Sequence, residues 1–389
     1  MQSNWKTVLG LGIITLVLLF GVGIGSVWSA PDTIKIGTLF AVTGGASNLG
    51  APEQKTIEML VADINAKGGV NGKKIEVIYK DTQTKSENAI SFARQLIEEN
   101  RVLAILGPTT SGESMAVKDL CEKNKTLLIS CAAAETIVNP VGKYVFKTPQ
   151  NDALAAMKIF SDMKAKKITK IGVLTANSGF GMGGKAQLAK YAPQYGITIA
   201  AAEEYKANAT DLTDVVTKIK AANVQAIVNW SIEPAQAIVI KNIRQLGMKQ
   251  LIYQSHGFGN IRYVRAAGAR AAQGVIFPCG RLLAIDVLPA SNPQKKVLQA
   301  FKREYETKYR EEVSTFAGHA YDALMLLVQA IKIAGSTDPA RVRDAMERIK
   351  DFPGTGGIFN FSAADHNGLT MDAFEMFTVN GGRFALYTK

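Results

Sequence analysis

Short apolar runs alternate along the chain with longer stretches whose apolar residues recur every three to four positions. Ile34 to Phe40, Ile75 to Tyr79, Val102 to Leu106 and Thr126 to Ser130 have the length and branched-residue content of buried strands. Helices are predicted between them. From Ser86 to Asn100 the period is explicit: Ala89, Phe92, Ala93, Leu96 and Ile97 share one helical face, and Glu87, Asn88, Arg94, Glu98 and Glu99 fall largely off it. Upstream, Gly68, Gly69, Asn71 and Gly72 form a turn through which no helix continues.

The rhythm restarts after Pro149. Strands are predicted at Lys170 to Leu174, Thr198 to Ala202, Ala226 to Trp230 and Leu251 to Gln254, with helices near Gly183 to Ala192, Leu212 to Ala222 and Ala235 to Leu246. Two α/β lobes of similar build follow. In the last third two long helices, Gln294 to Tyr309 and Thr315 to Ala334, precede a shorter one near Pro339 to Ile349. A hairpin then joins Ala373 to Val379 and Arg383 to Tyr387 around Asn380, Gly381 and Gly382. No short-period repeat or low-complexity tract interrupts this order.

The N-terminus breaks the pattern. Lys6 precedes an uncharged apolar run from Val8 to Ile24, and Ser26, Ser29 and Ala30 supply small residues, as in a secretory signal peptide over residues 1–30 cleaved near 29 or 30. An uncleaved anchor is the rival reading, because the run nears the length of a membrane span. No cysteine lies near the cleavage point, which argues against a lipid-modified N-terminus. Cys121, Cys131 and Cys279 are an odd number for an exported chain and too widely spaced for a metal cluster; they read as small buried hydrophobes.

With 389 residues, 47% of them hydrophobic, the chain has apolar material for two cores. The net charge of +12 is spread singly and often beside acids, as in Lys302, Arg303, Glu304, Glu306 and Lys308, which is a solvated surface rather than a nucleic-acid stripe. Catalytic signatures are absent. His256, His319 and His366 do not form HExxH, and no nucleophile elbow, P-loop or CxxC occurs, so neither an enzyme nor a cofactor is expected.

Two loops at the ends of neighbouring strands carry the candidate chemistry. Gly107-Pro108-Thr109-Thr110-Ser111-Gly112-Glu113 has capping-box spacing at Thr110 and Glu113 and leaves amides of a helix start free for an anion; an ordinary helix cap without a ligand is the plain alternative. Ser130-Cys131-Ala132-Ala133-Ala134-Glu135 is small enough for a ligand to touch backbone, or simply packs tightly. Gly179-Phe180-Gly181-Met182-Gly183-Gly184 matches the dinucleotide fingerprint in form, but Thr175 to Ser178 intervene after the expected strand, so it reads instead as a loop presenting Phe180 to a cleft. His256, in a Gly-rich loop beyond a strand, is a ligand-contact candidate, whereas His319 in an apolar helix reads as a core or interlobe histidine.

Nearly the whole chain after the leader resembles the branched-chain amino-acid (leucine/isoleucine/valine) type of periplasmic binding protein. The most specific match runs from Ala62 to Lys73 (ADINAKGGVNGK), with Ile36-Gly37 and Thr43-Gly44 before it and Asp81 after. The resemblance implies a type I periplasmic binding fold: two Rossmann-like lobes, 31–151 with 279–362 and 152–278 with 363–389, joined by three crossovers that hinge shut on a ligand. It also implies a periplasmic monomer that serves the membrane permease of an ABC importer, or alternatively a ligand sensor of the amide-sensor type.

By position, Ser111 matches the family's carboxylate-binding serine and Ala132, followed by Ala133, the backbone that holds the ligand's head. Phe180 stands for an aromatic cover from the second lobe, Leu49 for a side wall, and Trp230 to Pro234 for another wall. Two positions depart. Ala134 replaces a hydroxyl that assists the ligand's ammonium, and His256 replaces the acid that pairs with it. An unpartnered buried ammonium costs several kcal/mol. The expected ligand is therefore a small carboxylate without the ammonium, such as an aromatic acid against Phe180 and Trp230, unless Glu233 turns into the cleft and restores amino-acid binding.

Overall fold

The computed structural model describes residues 33–388; the leader assigned to residues 1–30 lies outside that range. The first sheet is entirely parallel. Its strands are β1 (Ile34–Phe40), β2 (Ile75–Asp81), β3 (Ala104–Leu106), β4 (Leu127–Ser130) and β5 (Val145–Lys147), in the order β2-β1-β3-β4-β5. Period two decides its faces: Ile36, Phe40 and Leu106 enter one core, and Leu39 and Ile105 the other. The helices in its first three connections are α1 (Ser47–Ala66), α2 (Ser86–Arg94) and α3 (Ser111–Lys123). The helix expected to run to Asn100 finishes as a single wide turn at Gln95–Glu99.

Helix α4 (Asp152–Ala165) carries the chain to the second sheet, which holds β6 (Lys170–Ala176), β7 (Thr198–Tyr205), β8 (Ala226–Trp230), β9 (Leu251–Gln254) and β10 (Ile276–Cys279) in parallel. Between them run α5 (Gly179–Tyr191), α6 (Thr213–Ala221), α7 (Ala235–Gln245), α8 (Ile261–Ala267) and α9 (Ala269–Ala272). The chain then returns to the first lobe. Helix α10 (Lys295–Tyr309), α11 (Thr315–Ala334) and α12 (Pro339–Glu347) place Phe301, Leu324, Leu327 and Val342 in the same core as Ile36 and Phe40. After a two-stranded ribbon, β11 (Phe352–Pro353) with β12 (Ile358–Phe359), a third crossing leads to β13 (Glu375–Asn380) and β14 (Arg383–Leu386). These add antiparallel to β10 and complete the order β14-β13-β10-β9-β8-β6-β7.

In each sheet the strand order reverses beside the opening strand, between β1 and β3 in one and between β6 and β8 in the other. Loops leaving the carboxyl ends of strands diverge at such a reversal and open a crevice. The two crevices face each other.

Candidate functional site

The head of the site is built by α3. Thr110 caps it: its Oγ1 accepts from the Glu113 amide at 3.3 Å, while Glu113 Oε2 accepts from the Thr110 amide at 3.2 Å and its hydroxyl at 2.5 Å. That reciprocal closure fixes Ser111 at the first helical position, where its Oγ accepts from the Ala134 amide at 3.3 Å. Thr109 Oγ1 accepts from the Ala41 amide at 3.0 Å and donates to the buried Glu53, whose carboxyl is pushed well up by burial. Both acids near the head are thus consumed by the protein itself.

The alanine loop after β4 is held by Ser130, whose Oγ accepts from the Ala132 amide at 3.1 Å. Beneath it lies Lys147, fully buried, with Nζ donating to the carbonyls of Ala133 at 3.2 Å and Pro149 at 2.9 Å. Burial pulls its ammonium down, against the attraction of nearby Asp152, and burial likewise lifts the Asp152 carboxyl.

From the second lobe comes Phe180, in the first turn of α5 rather than in a loop. The sequence delays this helix to Gly183 because glycine is a poor helix former, but packing requires the glycines. A Cβ on Gly181 would lie 1.9 Å from the Ala176 carbonyl oxygen, one on Gly184 would lie 2.2 Å from Trp230 Nε1, and one on Gly179 would lie 2.6 Å from the Gly112 nitrogen. Strand β6 extends to Ala176, so two residues rather than four separate it from Gly179. These close approaches leave no room for a pyrophosphate.

His256 sits in the tight turn after β9, capped by Ser255, whose Oγ accepts from the Gly257 amide at 3.2 Å. Its ring is boxed edge-on by Phe180, Trp230 and Phe374 at centroid distances of 5.3, 5.8 and 5.6 Å. Both ring nitrogens are buried without a hydrogen bond of good geometry. Burial, with the Lys147 charge adding to it, holds the imidazole down to about 3, so it is neutral.

Between the lobes these groups line a narrow cavity of about 20 Å³, little more than the space of one water in this conformation. Of the residues singled out in the sequence, Leu49, Ser111, Ala132, Ala133, Phe180 and His256 line it. Three do not. Ala134 stands one layer back with its amide spent on Ser111. Trp230 is fully buried behind Phe180, pressed against Gly184. Glu233 stays out of the cleft, because its carboxylate accepts from the Ser231 hydroxyl at 2.6 Å and the Ile232 amide at 3.0 Å. The wall assigned to the segment from Trp230 is supplied by its Ile232.

Sequence reasoning named the loop that holds Thr109 without singling that residue out, read His319 only as a core or interlobe histidine, and missed Phe316 in the lining and Lys147 beneath it. Phe316 and His319 share a face of α11, far along the chain; only their spacing of three signals a common direction. Cys131 also lines the cavity, and all three thiols are buried and free. No carboxylate, lysine or arginine side chain lines it, and among the described residues no cluster of His, Cys, Asp and Glu is placed to hold a metal.

The model of the family described as "Periplasmic binding protein" matches residues 33–383. The chain belongs to that family. A relative, the leucine-, isoleucine-, valine-, threonine- and alanine-binding protein of Pseudomonas aeruginosa, is 26% identical over 344 residues, covering 87% of this chain and 88% of its own. Among solved structures, an extracellular ligand-binding receptor from Rhodopseudomonas palustris HaA2 superposes with a TM-score of 0.86 at 27% identity, covering 91% of this chain and 99% of that one. The branched-chain amino acid transporter substrate-binding protein LivJ of Streptococcus pneumoniae, in complex with isoleucine, gives 0.80 at 30% identity, covering 91% and 98%. This periplasmic binding protein is thus a ligand-binding protein of the branched-chain amino-acid type, with the two-lobed fold of its neighbours.

Proposed function

We propose that this periplasmic binding protein is the solute receptor of an ABC importer, acts as a monomer, and captures a small organic acid that lacks an α-ammonium, an aromatic acid being the preferred class. Hinge closure about crossings near residues 151, 279 and 362 traps the ligand, and opening at the permease releases it unchanged. The observation that carries the reading is the lining of the cavity. It offers Ser111, at the opening of α3, to a carboxylate, apolar walls at Leu49, Phe180, Ile232 and Phe316, and no carboxylate for an ammonium.

The relatives' names speak of aliphatic amino acids. The position that would hold their ammonium carries a neutral imidazole here, and Glu233 is bound up locally. X-ray scattering of the mature protein, titrated in turn with benzoate and with leucine, tests the reading. Benzoate-type acids draw the lobes together and leucine does not; compaction by leucine alone refutes it.

A further inference from the structure

Two imidazoles face the cavity, one from each lobe: His256 beyond β9 and His319 on α11. Both are about 6% exposed. Neither ring nitrogen of His256 makes a hydrogen bond of good geometry, the Gln150 backbone lying beside the ring, and the Nδ1 of His319 is buried without a partner. Neither ring is free to turn toward one. His256 is boxed by three aromatic rings, and His319 meets Phe316 edge-on at 5.9 Å while its carbonyl accepts from Thr148 Oγ1 at 3.0 Å. Unsatisfied buried polar atoms of this kind are unfavourable unless a ligand completes them.

The chemistry of the missing partner follows from the charge state. A neutral imidazole presents one N–H and one lone pair, so two of them can offer donors and acceptors at once. A carboxylate only accepts and cannot satisfy the lone pairs, and an ammonium only donates and finds no carboxylate in the lining. A hydroxyl does both.

Building on the organic-acid reading, we propose that the ligand is a hydroxylated carboxylic acid: its carboxylate rests on Ser111 at the opening of α3, and its hydroxyl bridges His256 and His319, donating to one ring and accepting from the other. His319 is then a specificity-determining residue, contributed by the first lobe, and the bridge forms only when the lobes are closed.

Calorimetry on the ligand-stripped mature protein tests this with two matched pairs, benzoate against 4-hydroxybenzoate and 4-methylpentanoate against 2-hydroxy-4-methylpentanoate. In at least one pair the hydroxy acid binds roughly ten- to a hundredfold tighter than its parent. His319→Phe and His256→Phe each bring that ratio to about threefold or less, whatever they do to the parent acid's affinity, and His319→Asn, which returns an amide near the Nδ1 position, recovers part of it. A ratio near one for both pairs in the wild-type protein overturns the proposal without any variant, as does a ratio that survives both phenylalanine substitutions. If neither pair binds at all, the organic-acid reading falls with it; parent acids that bind without discrimination sink the hydroxyl bridge alone.

Discussion

Replacing Gly179 by alanine separates closure from folding. A Cβ there would sit 2.6 Å from the Gly112 nitrogen and 2.7 Å from its Cα, both backbone atoms of the opposite lobe. The shorter distance falls about 0.8 Å below ordinary contact, and helix backbone cannot yield as a side-chain tip does. Relief comes only by holding the lobes apart. That in turn stretches the bonds bridging them nearby, from Asn260 Nδ2 to the Asn48 carbonyl at 2.9 Å and from Gln187 Nε2 to Glu135 at 2.7 Å. Overpacking of this kind costs about 1–3 kcal/mol, which weakens ligand binding roughly 5- to 150-fold. Folding responds in the opposite sense. Gly179 opens α5 without a positive φ, so alanine improves helix propensity and restricts the unfolded chain, and the ligand-free melting temperature holds or rises. Gly112→Ala is the internal control: a Cβ at that position has its nearest neighbours at 3.9 Å, and affinity should stay within about threefold. Calorimetry with whichever carboxylate binds, paired with a thermal melt, reads both signs. Wild-type affinity in Gly179→Ala would show that the liganded protein does not use this contact, and the reasoning fails.

Other perturbations discriminate among parts of the site. Ser111→Ala removes a hydroxyl from the head of the cavity and should weaken carboxylate binding about 10- to 150-fold, the range for a hydrogen bond to a charged group of about 1.5–3 kcal/mol. Glu233→Gln should change affinity less than about threefold in calorimetry, since its carboxylate serves Ser231 and Ile232; a large loss would reinstate it as a ligand group. Stability against pH is opposed from two sides. Burial holds His256 and His319 down to about 3, so their contribution is whole above the ordinary histidine range and is lost as pH falls toward 3; Asp322, lifted to about 7, and Asp152, also lifted, act in the reverse sense above pH 4. His319→Phe should therefore gain on the wild type by up to about 1.4 kcal/mol per pH unit as pH falls from 6.5 toward 3. Urea midpoints at pH 6.5 and 4.5 measure it, and a constant gap between the proteins contradicts the assignment.

The fold was legible where the apolar period was clean. Ala226–Trp230 and Leu251–Gln254 form strands over the residues their pattern predicts, as Thr315–Ala334 forms its helix. The pattern failed where burial or packing overrode composition. Val145–Lys147 is a strand of three residues that buries a lysine, and nothing local announces that its ammonium will find the carbonyls of Ala133 and Pro149. Strand β7 runs on through Glu203 and Glu204 because it is an edge, where each charge reaches a lysine, Lys218 from one face and Lys185 from the other. At the site, the capping-box spacing of Thr110 and Glu113 marked where α3 begins, since that geometry is short-range, and the family resemblance singled out Ser111 there. Trp230 and Glu233 were misjudged for the converse reason: every residue of β8 is buried, alternation marks no face, and which side chain after the strand turns inward is decided by Gly184 and Ser231. His319 reaches the cavity through tertiary packing of a helix far along the chain, and its apolar surroundings disguise it as core.

A single comparison bears most directly on the whole account: calorimetric titration of leucine and of 4-methylpentanoate, which share a carbon skeleton and differ only in the α-ammonium. With no anion in the lining, the deaminated acid should bind at least about tenfold tighter than leucine. Tighter binding of leucine would mean that the cavity accommodates an ammonium after all, and would contradict the account at its root.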